Sequence, residues 1–429
     1  MVPVCPCLLK GFGDHTSAPH LWGPKNLPQD HFHLRAPEPK SGALLRLGAS
    51  ALIVLAVCAW LPAWQYKIFN NGFFMDDAMI ARNPNVVGDF SWSQLLRSDY
   101  WGLDMFAGTW THKSFRPFTV LTFRWNFLLH GFESSGFHIA NLILHGICSI
   151  LLAVFAAHCG FSGWWSAWLG GLFLAHPVHT ESVLYIVGRA DLISLSFILL
   201  SCLVHLRASP PRNFGAFLAA VVSCVLLIAA GLCKETGFCF FGLLVGWDIL
   251  WLTWQPSNMR LWMRMLLLLL LGTLCCGLRF WYTGTTIERM DPFSNPVAAE
   301  KDQLVRILSY ALVHGIYGKL LVWPNFLCYD YSFDAVPLVR SLSDCRLLLP
   351  IGCYLGFFAL ITLSSGLAQR RRELPIVGMA ILILSFLPMS NILFPVGTMI
   401  GERLLYIPSA GLLITVLGLA PPRASSWPM

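Results

Sequence analysis

The stretch FHIANLILHGICSILLAVFAAH, residues 137–158, runs for about 22 positions without one Asp, Glu, Lys or Arg. A bilayer's hydrocarbon core, ~30 Å thick, takes roughly 20 apolar residues at a helical rise of ~1.5 Å each. The stretch therefore reads as a membrane-spanning helix. Comparable apolar runs lie at residues 48–65, 164–182, 192–206, 214–233, 237–254, 262–282, 348–368, 375–394 and 404–420. About ten spans make the chain an all-α polytopic membrane protein, because helices satisfy their own backbone groups in lipid.

Composition points the same way. Of 429 residues, 56% are hydrophobic and 12% charged, against ~25% charged in soluble domains. The net charge of +7 sits largely in short basic links near 207–212, 260–264 and 370–372. A positive-inside bias puts these in the cytoplasm, and no nucleic-acid partner is inferred from them. The 14 cysteines form no CxxC pair, so neither a zinc site nor a disulfide framework is indicated. Residues 1–47 read as a polar, disordered cytoplasmic tail ahead of a signal anchor, and 421–429 as a short second tail.

One apolar segment strains the topology. Residues 304–323 carry Arg306, His314 and Lys319. Counting them as a span would put 370–372 on the wrong side, so an interfacial or re-entrant helix is expected there. Segments 66–136, 176–191, 233–236, 283–347 and 395–403 then share the non-cytoplasmic face, the first as a large luminal loop. Ionisable groups gathered at one membrane edge point to a functional site.

In FFMDDAMIARNP, residues 73–84, Asp76 and Asp77 follow the first span. Either aspartate suits a general base raised in pKa by burial and by its neighbour; Asp77, which opens DAMIAR, also suits a plain helix N-cap. HKSFRPFTVLTFRWNF, residues 112–127, sets Arg116 and Arg124 eight positions apart. Their guanidinium groups fit carboxylates, a phosphate or lipid headgroups. HPVHTESVLYIVGRAD, residues 176–191, offers His176, His179, Glu181, Arg189 and Asp191. Pro177 breaks a helix across the two histidines, and the pattern is not HExxH, so a polar junction is favoured over a metal site. Lys234-Glu235 joins two spans with almost no loop, and Glu402-Arg403 opens the last one. Paired acids facing several cations suit transfer from a phosphate-linked donor to a hydroxyl.

Taken in order, DD, HKSFRPFTVLTFRWN, GFHIANLILH, HPVHTESVLYIVGRAD, KETG, SNPVA, DYSFDAVPL and FPVGTMIGERLLYIPS resemble the transmembrane and tetratricopeptide-repeat-containing O-mannosyltransferases. The resemblance covers most of residues 66–410. It implies a glycosyltransferase C-type membrane fold in the endoplasmic reticulum, with the site facing the lumen. Dolichyl-phosphate mannose is the implied donor and Ser or Thr of cadherin-type domains the implied acceptor, with no cofactor and no obligatory metal. The family's acidic pair falls on Asp76 and Asp77, and its HKS-aromatic-RP arginine on Arg116. Its remaining blocks place His176, His179, Glu181, Arg189, Asp191, Lys234, Glu235, Glu402, Arg403 and Tyr406 at the site; Thr236 stands where the family has Gln. Family members continue into 34-residue repeats, whereas no repeat is visible here before the terminal APPRASSWPM. The expectation is a transferase core, residues 48–420, in a truncated form. The rival expectation is an inactive membrane scaffold or a regulator of a luminal, calcium-handling partner.

Overall fold

A computed structural model describes residues 72–420 except 109–110, 162, 210, 212–213, 254, 285–291 and 369–372. The expected span at 48–65, both tails and the 370–372 link lie outside the described residues. Among those described, regular structure is helical, with one isolated bridge between Ser98 and Asp104.

The long helices are α1 (Pro117–His130), α2 (Ser134–His158), α3 (Gly163–Leu174), α4 (Arg189–Arg207), α5 (Phe214–Cys233) and α6 (Phe240–Leu252). They continue as α7 (Met259–Thr283), α8 (Gln303–Val322), α9 (Leu348–Ala368), α10 (Leu374–Phe386) and α11 (Tyr406–Leu419). Among the described residues, eight stretches, built on α2, α4 to α9 and α11, are long and apolar enough to cross a membrane. The stretch Leu374–Met389 is apolar but shorter. Lipid-facing character is plain on α9, where Leu348, Ile351, Leu355 and Phe358 are exposed at helical spacing. In water such a stripe would drive association; in a bilayer it is the solvated face.

The run 164–182 is not one helix, contrary to the sequence reading. α3 stops at Leu174, and His176 adopts an extended backbone ahead of Pro177. Proline disfavours a helical residue before it and brings no N–H of its own. A 3₁₀ turn Pro177–His179 and a short helix Thr180–Leu184 follow.

α8 meets the length and composition of a span, and its unbroken course excludes a re-entrant hairpin. It packs against α9, where His314 meets the Tyr354 hydroxyl at 2.7 Å and Cβ atoms on Gly315 and Gly318 would stand 2.8 Å from Pro350 N and 2.7 Å from Cys353 Sγ. Tyr317 accepts from the Gly401 N–H at 3.0 Å, Leu321 O meets His176 Nε2 at 3.1 Å, and His314 meets Ser390 O at 2.6 Å. The chain after α8 folds back onto that helix, since the Val339 N–H donates to Ser309 Oγ at 2.9 Å.

Small residues let helices close up. A Cβ on Gly378 would stand 2.5 Å from Thr415 Oγ1, and one on Gly411 would stand 2.5 Å from Leu382 N. α10 and α11 thus pack backbone to backbone, the usual device for helix association in lipid. The first loop is equally well packed. Its Ile80, Val86, Leu95 and Tyr100 share a buried core with Val120, Phe123, Phe137, Ile186 and Val187. Each such side chain contributes about 1.5–3 kcal/mol when fully buried, so the loop is fastened onto α1, α2 and the turn before α4. That fastening positions the acidic pair.

Candidate active site

The two adjacent aspartates part company. Met75, just before them, has φ of 50°, a left-handed conformation that non-glycine residues adopt rarely and often at functional sites. Asp77 turns inward and is 2% exposed. Its carboxylate accepts from the N–H groups of Ile186 at 3.0 Å and Val187 at 2.9 Å. Burial pushes its pKa up to about 6, while the two backbone bonds and Arg403 pull it down. Asp76 turns outward, with its side chain 47% exposed. Arg403 Nη1 lies 3.2 Å from its Oδ2.

Arg403 is itself held. Its backbone N–H donates to Glu181 Oε2 at 2.8 Å, and its Nε lies 3.5 Å from Glu181 Oε1. Burial raises the pKa of Glu181, with Arg403 opposing. Asp76, Arg403 and Glu181 therefore form one ionic chain joining the first loop, the segment before α4 and the start of the last apolar stretch.

A second cluster lies within electrostatic reach. Arg116 Nε donates to Glu235 Oε2 at 2.9 Å and stacks on Tyr100, with 5.0 Å from guanidinium to ring centroid. Arg279 Nη2 donates to Glu235 Oε1 at 3.3 Å and to Lys113 O at 2.8 Å. Buried Lys234 pairs with Asp191 and feels both Arg116 and Arg403.

Other expected site residues hold the fold. Arg189 is 1% exposed and donates to Asn141 Oδ1, Asn126 Oδ1, Thr122 O and Phe137 O. Its guanidinium also lies over the Phe123 and Phe137 rings. It pins α1, α2 and α4 together, with all three of its nitrogens bonded inside the fold. Arg124 Nη1 reaches the carbonyls of Asn85, Val86 and Gly88, capping the end of a short loop helix. Glu402 accepts from the Cys328 N–H at 2.7 Å and the Tyr331 hydroxyl at 2.8 Å, so it ties down the segment after α8. His179 Nε2 meets Ser409 Oγ at 2.7 Å within a cluster of Phe173, Tyr406 and His145 rings. Burial, with help from the neighbouring histidines, keeps its pKa well below the ordinary imidazole value. His176 is occupied by Leu321 O and the Val178 N–H. Among the described residues no group of three His, Cys, Asp or Glu is arranged to hold a metal.

Sequence reasoning missed Arg279, Tyr331 and the asparagines that grip Arg189. Arg279 had a signal: a cation in the last turns of an otherwise apolar run. Asn126 and Asn141 had none, because nothing local marks a buried amide as an arginine partner.

Residues 284–358 match the family profile described as "Protein O-mannosyl-transferase TMTC, DUF1736". Protein O-mannosyl-transferase TMTC4 of Mus musculus is 34% identical over 388 residues, covering 80% of this chain and 52% of that protein. TMTC4 of Homo sapiens is 32% identical, covering 89% of this chain and 56% of its own length. Tmtc3 of Drosophila melanogaster is 29% identical, covering 92% and 48% respectively. The chain thus spans about half the length of the curated relatives it matches. No solved structure matches it.

Proposed function

The chain belongs to the TMTC family of protein O-mannosyl-transferases, and on that premise we propose that it transfers mannose from dolichyl-phosphate mannose to a Ser or Thr hydroxyl of a luminal protein. The observation that carries this reading is Asp76: a half-exposed carboxylate, oriented by an arginine that is itself fixed by Glu181. A base must reach the acceptor hydroxyl, and Asp77, with both oxygens committed to backbone N–H groups, is not placed for that.

In the proposed step the acceptor oxygen attacks C1 of mannose while Asp76 takes its proton. The bond from C1 to the phosphate oxygen breaks, and dolichyl phosphate departs with the electron pair. One displacement converts the donor's β-linkage to the product's α-linkage, and an anionic phosphate leaves without a protonating acid. Extracellular cadherin-type domains are the acceptor class and the endoplasmic reticulum membrane the location that this reading adopts.

Transfer of labelled mannose from dolichyl-phosphate mannose to a cadherin domain, in membranes carrying the full chain, tests it. Asp76→Asn is expected to lower transfer at least a hundredfold at unchanged expression. Parent membranes that bind donor and acceptor yet transfer nothing would favour a scaffold instead.

A further inference from the structure

We propose that Arg279, paired with Arg116, grips the phosphate of an isoprenyl-phosphate lipid, and that Glu235 is the residue that positions both guanidinium groups. The assignment rests on the donor reading above and names its phosphate subsite. Arg279 sits near the end of α7, the only charge among the Leu, Gly, Cys, Thr and aromatic residues at that end. A charge in such a helix is costly unless it is partnered, and points to a functional site.

The partnering is incomplete in a telling way. Glu235 faces two guanidinium groups with one carboxylate, so the cluster keeps a net positive charge. Arg279 spends Nη2 on Glu235 and Lys113 O, while its buried Nε has no acceptor among the described residues. Arg116 spends only Nε on Glu235. Both oxygens of Glu235 are engaged by the guanidinium groups, and the second cation outweighs its charge toward an incoming anion. An orphaned guanidinium N–H is expensive when buried, and two planar forks suit a phosphate's several oxygens. The same forks stabilise the charge that grows on the phosphate as the sugar leaves.

The surroundings favour a lipid over a free phosphate. Leu274, Leu278, Phe280 and Trp281 on the same end of α7 are exposed. An isoprenyl chain running along this face keeps its hydrocarbon in the bilayer while the head enters the Arg279 cluster. Arg403, by contrast, is committed to Asp76 and Glu181, which separates base orientation from phosphate holding.

The test is binding of labelled dolichyl phosphate to the full chain in nanodiscs, with transfer kinetics alongside. Arg279→Gln is expected to weaken binding roughly tenfold or more, and Arg279→Lys less. Glu235→Gln should weaken it too, by freeing the guanidinium groups to rotate. Dolichol without phosphate should not compete, and inorganic phosphate should compete only weakly. Arg340→Gln, altering a side chain 72% exposed, should bind as the parent does. In transfer assays Arg279→Gln should raise the donor KM by a similar factor and leave the acceptor KM alone. Parent-like binding by a folded Arg279→Gln, equal competition by inorganic phosphate, or no binding by the parent would each overturn the proposal. Arg279-dependent binding without mannose transfer would keep the subsite and sink the transferase reading. Transfer with an unchanged donor KM in Arg279→Gln would do the reverse.

Discussion

Arg403 joins Asp76 across 3.2 Å and 327 positions of sequence, while its own N–H donates to Glu181 at 2.8 Å. Glu181 thereby sets where Asp76 points without facing the open side as Asp76 does. Replacing Glu181 by Gln removes the charge that anchors Arg403 but keeps an acceptor for its N–H. Transfer is expected to fall roughly tenfold in kcat, with donor KM little changed, because a misplaced group costs rate more than binding. Steady-state kinetics of mannose transfer decide it; a pure KM effect would place Glu181 on the substrate instead.

Asp77 gives a pH signature in stability. Its carboxyl has a folded pKa of about 6 against an ordinary 3.8, so the folded state holds this proton more tightly than the unfolded one. The contribution is fully present below pH ~3.8 and is lost as pH rises to about 6, by ~3 kcal/mol at most. Thermal unfolding of the detergent-solubilised parent should therefore weaken over this window relative to Asp77→Asn, whose amide does not titrate there. Parallel pH curves for the two chains would refute the assignment.

Arg189 is expected to behave as a structural residue. Arg189→Met strands the Asn126 and Asn141 oxygens and two carbonyls in the interior, each at ~1–3 kcal/mol. Yield of folded protein and melting temperature should collapse together. Arg124→Gln, partly exposed, should cost no more than ~1 kcal/mol. Donor affinity lost by Arg189→Met at a normal melting temperature would contradict the structural role.

Glu402 and Tyr331 should be thermodynamically coupled. Tyr331→Phe removes one of the two bonds that hold the segment after α8 to Glu402. A cost of about 1 kcal/mol is expected for it. Protease cleavage between residues 325 and 333 should quicken in Tyr331→Phe and in Glu402→Gln. The double variant should lose less than the sum of the two; full additivity would show that the pair does not interact.

Much of the architecture was readable from hydropathy, because a bilayer imposes a length and a composition on every crossing. The uncharged run 137–158 became α2, and the run 214–233 became α5. Pro177 was already a reason to doubt a helix across its histidines, yet the run containing it was still counted whole; the break at Leu174 shows local chain geometry outweighing apolar length.

The sequence by itself also marked the DD, HPVHTE, GRAD, KE and ER blocks as belonging together. It was silent on which of two neighbouring aspartates faces outward, and on which arginines are free. Those choices depend on partners far away in sequence: the Ile186 and Val187 N–H groups that turn Asp77 inward, and Asn126 and Asn141, which absorb Arg189. A charged side chain's role follows from the desolvation it suffers and the donors or acceptors that meet it. Only the packed helices determine both.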